Sequence, residues 1–267
     1  VLISGIYGVV HLPALPGDPR SDGEGFAAVY DRAMADAQAL VAGGCAGIVI
    51  ENFGSAPFCK GSPDDRAPPH QLAALTVVAT RCRERFDVPI GINVLRNDGP
   101  AALGVAAATD AAFVRINVHV GAYVTDQGLI EGEAAHTLRY RSALAARSVG
   151  IWADVLVKHA TPLAPVSATD ATKDCVHRGL ADAVIVTGNA TGGTVSRDDL
   201  AAVADAAHPA AVVIGSGLTP ERIDELAPLA HAAIVGTYLK RDGDVAAPVD
   251  EARVRALVDA ARGRFRS

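Results

Sequence analysis

Residues 182–217 read DAVIVTGNATGGTVSRDDLAAVADAAHPAAVVIGSG. The stretch begins and ends on short Val/Ile runs that are apolar throughout, and both runs leave through glycine. A strand covered on both faces, as in a parallel sheet, has no solvent face and so gives a continuous run rather than an alternating one. Between the runs, Ser196 with Asp199 three residues later marks a helix start, where a hydroxyl accepts an otherwise unpaired N–H of the first turn. Strand, helix and parallel strand together are the repeating unit of α/β folds.

The same unit extends outward in both directions. Further runs occur at residues 6–11 (IYGVVH), 46–52 (AGIVIEN), 89–95 (PIGINVL), 111–118 (AAFVRINV), 151–159 (IWADVLVKH) and 232–237 (AAIVGT). Amphipathic stretches such as FAAVYDRAMADAQALVAGG (26–44) and HQLAALTVVATRCRERF (70–86) lie between them. AGIVIEN, AAFVRIN, DAVIVTG and AAIVGTY align with one another, a small residue preceding apolar ones before a polar or glycine exit, as repeated units leave behind. Eight β/α alternations in 267 residues predict an α/β chain folded as one (β/α)8 TIM barrel spanning residues 1–267. The loops are asymmetric: long, motif-rich segments follow the strands, and short plain turns such as AGGC precede them. Barrel sites are built from the former, at the C-terminal mouth.

Half of the residues are hydrophobic and a fifth charged, with a formal net charge of −6. That balance argues against a nucleic-acid binder, which needs a basic face to displace phosphate counterions. Cys45, Cys59, Cys82 and Cys175 are scattered without C-x-x-C spacing, so neither a structural zinc site nor a disulfide framework is expected, and reduced cytoplasmic thiols are. No apolar run approaches the roughly 20 residues that span a bilayer. The opening VLISGIYGVVH lacks the basic start of a signal peptide. A cytoplasmic protein without a transmembrane segment is expected, peripheral membrane attachment remaining open, and barrels of this size often pair as homo-oligomers.

Three adjacent strand exits are candidates for holding phosphate. Gly215, Ser216 and Gly217 precede an expected helix start at Thr219-Pro220-Glu221, Gly236 and Thr237 end the eighth run, and Thr187, Gly188 and a mobile Gly192–Gly193 pair follow the sixth. Glycine lets backbone amides approach an anion, a helix N-terminus adds oriented N–H groups, and the last loops of a barrel commonly hold phosphate. Neither G-x-G-x-x-G nor G-x-x-x-x-G-K-[ST] is present, so a nucleotide would bind by another route.

Ionisable and amide groups sit at the other strand ends. Glu51, Asp154, Lys158 and His11 are candidate catalytic residues; Asn93, Asp98, Arg115, Asn117 and His159 are candidate substrate-binding residues. A carboxylate such as Glu51 at the end of a buried run is costly without a role or a partner. Strand alternation puts Asp154 and Lys158 on one face and His159 on the other. Lys158 then binds a substrate anion, acts as a base or Schiff-base nucleophile, or merely pairs with Asp154. Arg115 is a candidate counter-ion for Glu51 or Asp154, His11 for capping a turn, and the two asparagines for satisfying loop backbone. The polar, glycine-containing segment NVHVGAYVTDQGLIEG (117–132) reads as a lid that orders over the mouth when ligand binds.

HLPALPGDPR, GIVIENFGSAPF, GINVLRND, FVRINVHVGAYVTDQGLIEG, ADVLVKHA, GLADAVIVTG and IGSGLTPE, spread between Tyr7 and Val249, resemble the BtpA/SgcQ family. The resemblance implies a barrel related to the phosphate-binding barrels. In that family a cyanobacterial branch is associated with photosystem I biogenesis on thylakoids, and an enteric branch accompanies sugar-metabolism genes and carries a nucleoside triphosphatase label. It brings no catalytic residue to this sequence. The residues themselves point to an enzyme acting on a small phosphorylated metabolite, a sugar phosphate or nucleotide-derived compound, by isomerisation, epimerisation or aldol-type chemistry, with no cofactor identified. Phosphate-ester hydrolysis would more naturally use a metal, for which the spacing of His11, Glu51 and Asp154 is not diagnostic. The alternatives are a non-enzymatic factor for photosystem I or another membrane complex, a nucleoside triphosphatase, and a sensor that binds without turnover.

Overall fold

The computed structural model describes residues 3–188 and 193–266. Among them the strands are β1 (Gly5–His11), β2 (Gly47–Glu51), β3 (Ile90–Asn93), β4 (Phe113–Ile116), β5 (Ala122–Thr125), β6 (Gly128–Glu131), β7 (Gly150–Val155), β8 (Ala160–Pro162), β9 (Ala183–Val186), β10 (Ala211–Ile214) and β11 (Ala232–Val235). Eight of these close a parallel barrel in the order β1-β11-β10-β9-β7-β4-β3-β2, and β6-β5-β8 form a separate antiparallel sheet. The eight barrel strands are the eight apolar runs of the sequence.

The helices are α1 (Phe26–Ala42), α2 (Pro69–Arg85), α3 (Gly99–Thr109), α4 (Ala134–Ala143), α5 (Ala168–Lys173), α6 (Arg197–Ala206), α7 (Ile223–Leu226) and α8 (Glu251–Ala261). Ser196 caps α6 as its spacing predicts, its hydroxyl accepting the Asp199 N–H at 3.3 Å. The start expected at Thr219 differs: Pro220–Arg222 form a 3-10 turn and α7 adds a single α-turn. A segment that short has little aligned dipole to offer an anion. Lys240, fully buried beyond β11, donates to Asp36 of α1 at 2.7 Å, and the same carboxylate accepts the Val249 N–H at 2.8 Å. This pins the last βα segment against the first helix.

Alternate residues of each barrel strand face the axis. Toward the N-terminal ends they form an aromatic plug: Phe113 and Trp152 stack at 3.7 Å between centroids, and Tyr7 stands edge-on to both. Gly91 lies in register with Phe113, and a Cβ there would come within 2.2 Å of that ring, so small residues on neighbouring strands admit the large ones. The plug fills the bottom of the barrel, and the polar strand ends lie above it.

The segment expected to be a lid is an ordered hairpin. β5 pairs with β6 and, on its other edge, with β8 from the loop after β7. Tyr123 and Ile130 turn inward to pack with Val118 and Val157, while Val124 and Leu129, direct cross-strand partners, face outward. Among the described residues no helix is long and apolar enough to cross a membrane.

Candidate functional site

One layer above the plug, register brings a polar ring together across four neighbouring strands: His11 partners Glu51, Glu51 partners Asn93, and Asn93 partners Arg115. Asp154 of β7 completes it. Arg115 donates to both Asp154 oxygens, from Nε at 2.9 Å and from its terminal nitrogen at 3.0 Å, and Asn117 Nδ2 adds a third bond at 3.0 Å. Asn93 Nδ2 donates to the Arg115 carbonyl at 3.0 Å and to Asn117 Oδ1 at 3.1 Å. His11 Nε2 lies 3.4 Å from Glu51 Oε1, and its ring packs against Phe53.

Burial sets the protonation of this ring. It pushes the Glu51 carboxyl above its ordinary range in spite of Arg115 and Lys158 nearby, because a charged carboxylate is poorly solvated there. It holds His11 well below the usual histidine range, helped by Lys240, Lys158 and Arg115. It also lowers Lys158, with Arg115 adding to the effect. Glu51, held above its ordinary range, and Lys158, held below its own, line the same cavity, a pattern associated with groups that take part in proton transfer.

The β9–β11 half of the mouth offers backbone instead of charged side chains. The N–H groups of Ser216, Gly217, Gly236 and Thr237 donate to no acceptor among the described residues, although all four residues line one cavity. Backbone N–H groups without a protein acceptor are satisfied by water or a ligand, and neighbouring ones beside a cavity suit an anion. Gly217 has φ +67, and a Cβ there would come within 2.4 Å of the Gly193 carbonyl oxygen, so no other residue fits. A Cβ at Gly236 would press on the His11 ring at 2.7 Å.

This cavity, of about 240 Å³, lies beside a second of about 420 Å³; Glu51, Arg115 and Lys158 line both. The second reaches toward Phe53, Asn93, Asn117, Arg96 and the hairpin tip at Asp126 and Gln127.

The structure brings His11, Glu51, Arg115, Lys158, Gly215, Ser216, Gly217, Gly236 and Thr237 to the first cavity, and Asn93, Asn117 and His159 to the second. Several expectations are corrected. Asp154 lines neither cavity, because its carboxylate is consumed by Arg115 and Asn117; it is a fixed counter-ion. Asp98 lies elsewhere, capping α3 through the Ala101 N–H and holding the Ala67 N–H and Arg66. The strand run ends at Val155 because Leu156 takes φ +52, so alternation no longer relates Lys158 to Asp154, and Lys158 and His159 border the same cavity. Thr187 and Gly188 support rather than line the first cavity: the Thr187 hydroxyl accepts the Lys158 N–H at 3.1 Å, and the Gly188 N–H donates to the Ser216 hydroxyl at 2.8 Å. The Ser216 hydroxyl in turn donates to the Gly193 carbonyl at 3.1 Å, leaving its backbone for the cavity. Gly192 lies outside the described residues.

Sequence reasoning missed Arg96, which is buried and donates to the Lys158 carbonyl at 2.8 Å. An arginine three residues beyond a strand end, in GINVLRND, was the available signal. Asp126 and Gln127 reach the cavity only through the hairpin, which no local pattern announces.

The depressed His11 gives a pH prediction. The unfolded chain binds a proton at this histidine below about pH 6.5 and the folded chain does not, so the stabilising contribution is complete above that pH and is lost as pH falls. Each such proton steepens the loss by up to about 1.4 kcal/mol per pH unit. Urea unfolding of His11→Asn between about pH 7.5 and about pH 5.5 should show a shallower decline than the parent; parallel declines would show that His11 is not held neutral.

The chain matches the model of the BtpA family over residues 4–263. It is 44% identical to the photosystem I biogenesis protein BtpA of Synechocystis, over 96% of this chain and 87% of that protein. In fold it is similar to thiamine phosphate pyrophosphorylase from Pyrococcus furiosus, with a TM-score of 0.61 at 12% identity over 99% of this chain and 98% of the other. It is likewise similar to phosphoribosyl anthranilate isomerase from Thermococcus kodakaraensis, with a TM-score of 0.55 at 14% identity over 98% and 100%. The likenesses in fold confirm the barrel, and the match along nearly the whole sequence makes this chain a member of the BtpA family.

Proposed function

We propose that the chain is an enzyme acting on a small phosphorylated metabolite, by proton transfer in an isomerisation, epimerisation or aldol-type reaction. The observation that carries this reading is the set of amides at Ser216, Gly217, Gly236 and Thr237 that have no acceptor among the described residues, in residues that line the same cavity as Glu51 and Lys158. The amides hold the phosphoryl group and so fix the rest of the ligand against the charged half of the ring. Glu51 takes or returns the proton, and the Lys158 ammonium stabilises negative charge that develops on the neighbouring oxygen. Asp154 keeps Arg115 in place as a fixed positive charge on the cavity wall. The names of the two similar barrels, a phosphate pyrophosphorylase and a phosphoribosyl isomerase, agree with phosphorylated ligands.

Thermal unfolding of the protein with phosphorylated sugars and nucleotides, each beside its dephosphorylated counterpart, tests the ligand class. Some phosphorylated members should raise the midpoint and their counterparts should not, with the effect lost in Gly217→Val. Absence of any phosphate-dependent stabilisation would overturn the reading.

A second reading, a non-enzymatic factor for assembly of a membrane complex, is favoured by the identity to the Synechocystis protein and by the outward-facing Val124 and Leu129 of the hairpin. It predicts that Glu51 and Lys158 tolerate substitution.

A further inference from the structure

Buried cations in this chain come with carboxylates. Arg115 has Asp154 and Lys240 has Asp36, at 2.9 and 2.7 Å. Arg96 is the exception: it is 5% exposed, and its side chain's one hydrogen bond to a described residue goes to the Lys158 carbonyl. Neither Arg96 nor the Lys158 ammonium forms an ion pair with a carboxylate among the described residues. Both border the wider cavity, whose remaining carboxylates are Glu51, beside His11, and Asp126 on the exposed hairpin tip. Arg20 adds a further cation at the rim. A guanidinium removed from water without a counter-ion is costly, and its planar fork suits an oxyanion.

We propose that the wider cavity is a subsite for a second anionic group of the ligand, bound by Arg96 together with Lys158, so that the substrate is a metabolite with a phosphoryl group at one end and a carboxylate or second phosphoryl at the other. This rests on the phosphate reading of the first cavity. The two anions then sit on opposite sides of Glu51, and the carbon skeleton crosses the proton-transfer group. Selectivity follows from the same arrangement: a ligand ending in a neutral group leaves Arg96 desolvated and unpaired.

The test is calorimetric titration of the full chain, at constant ionic strength, with matched pairs on three skeletons. These are glycerol 3-phosphate with 3-phosphoglycerate, ribitol 5-phosphate with 5-phosphoribonate, and glucitol 6-phosphate with 6-phosphogluconate; the corresponding bisphosphates separate carboxylate from phosphoryl at the second end. On at least one skeleton a two-anion member should bind roughly tenfold tighter than its one-anion partner. Arg96→Met should abolish that advantage while leaving the one-anion affinity in place, and Arg96→Lys, which keeps the charge without the fork, should retain part of it. Equal binding of one- and two-anion members, or an advantage that survives Arg96→Met, overturns the second subsite while leaving the phosphate site standing. No binding by any member, inorganic phosphate included, overturns the phosphate reading and this inference with it.

Discussion

Asp154→Ala should destabilise the fold by about 3–5 kcal/mol, the range for removing one partner of a buried ion pair. The substitution strands the Arg115 guanidinium, which gives up two hydrogen bonds inside the barrel, and frees the Asn117 amide as well. The loss comes from the uncompensated charge more than from the pair's own worth. The double variant Asp154→Leu with Arg115→Met, which fills the layer with apolar groups of similar size, should therefore recover most of it. Urea unfolding of the single and double variants measures both. A single variant within about 1 kcal/mol of the parent would mean that water or another group reaches Arg115, and the closed polar layer above the plug would be wrongly drawn.

Glu51→Gln should lower turnover by about 10²–10⁴-fold, the usual contribution of a positioned acid or base. It leaves shape and burial nearly unchanged, so affinity for the phosphorylated ligand should move far less than turnover. Lys158→Ala should also abolish turnover while leaving the fold intact, since among the described residues its Nζ pairs with no carboxylate that the substitution would strand. Both are measured as product formation from the compound that stabilises the parent most. Turnover retained in both variants would remove Glu51 and Lys158 from the chemistry.

The barrel was legible because its strands are buried on both faces: runs such as GIVIE and AVVI carry the parallel sheet in their composition, and the long segments after them mark the mouth. Which polar residues meet was legible only in part. Period-two spacing correctly aims His11, Glu51, Asn93 and Arg115 inward from four strands. It fails at Lys158 because one residue, Leu156, leaves the extended region, an event its side chain does not signal. Asp98 illustrates another limit. A carboxylate shortly after a strand end reads as a ligand group, yet at Asp98-Gly99-Pro100 it is a helix cap, and the proline at the start of α3 was the clue. Asp154 and Arg115 were both candidates, and their mutual pairing depends on neighbouring strands that lie far apart in sequence. Arg96 depends on the loop beyond β3 folding back toward Lys158, which only the assembled mouth defines.

The most direct test of the central claim is a crystal structure of the protein grown with the phosphorylated compound that stabilises it most. The account predicts phosphoryl oxygens within hydrogen-bond distance of the amides of Ser216, Gly217, Gly236 and Thr237, with the reacting carbon beside Glu51. A compound bound with its phosphoryl group away from those amides, or only on the outer surface of the barrel, would contradict it.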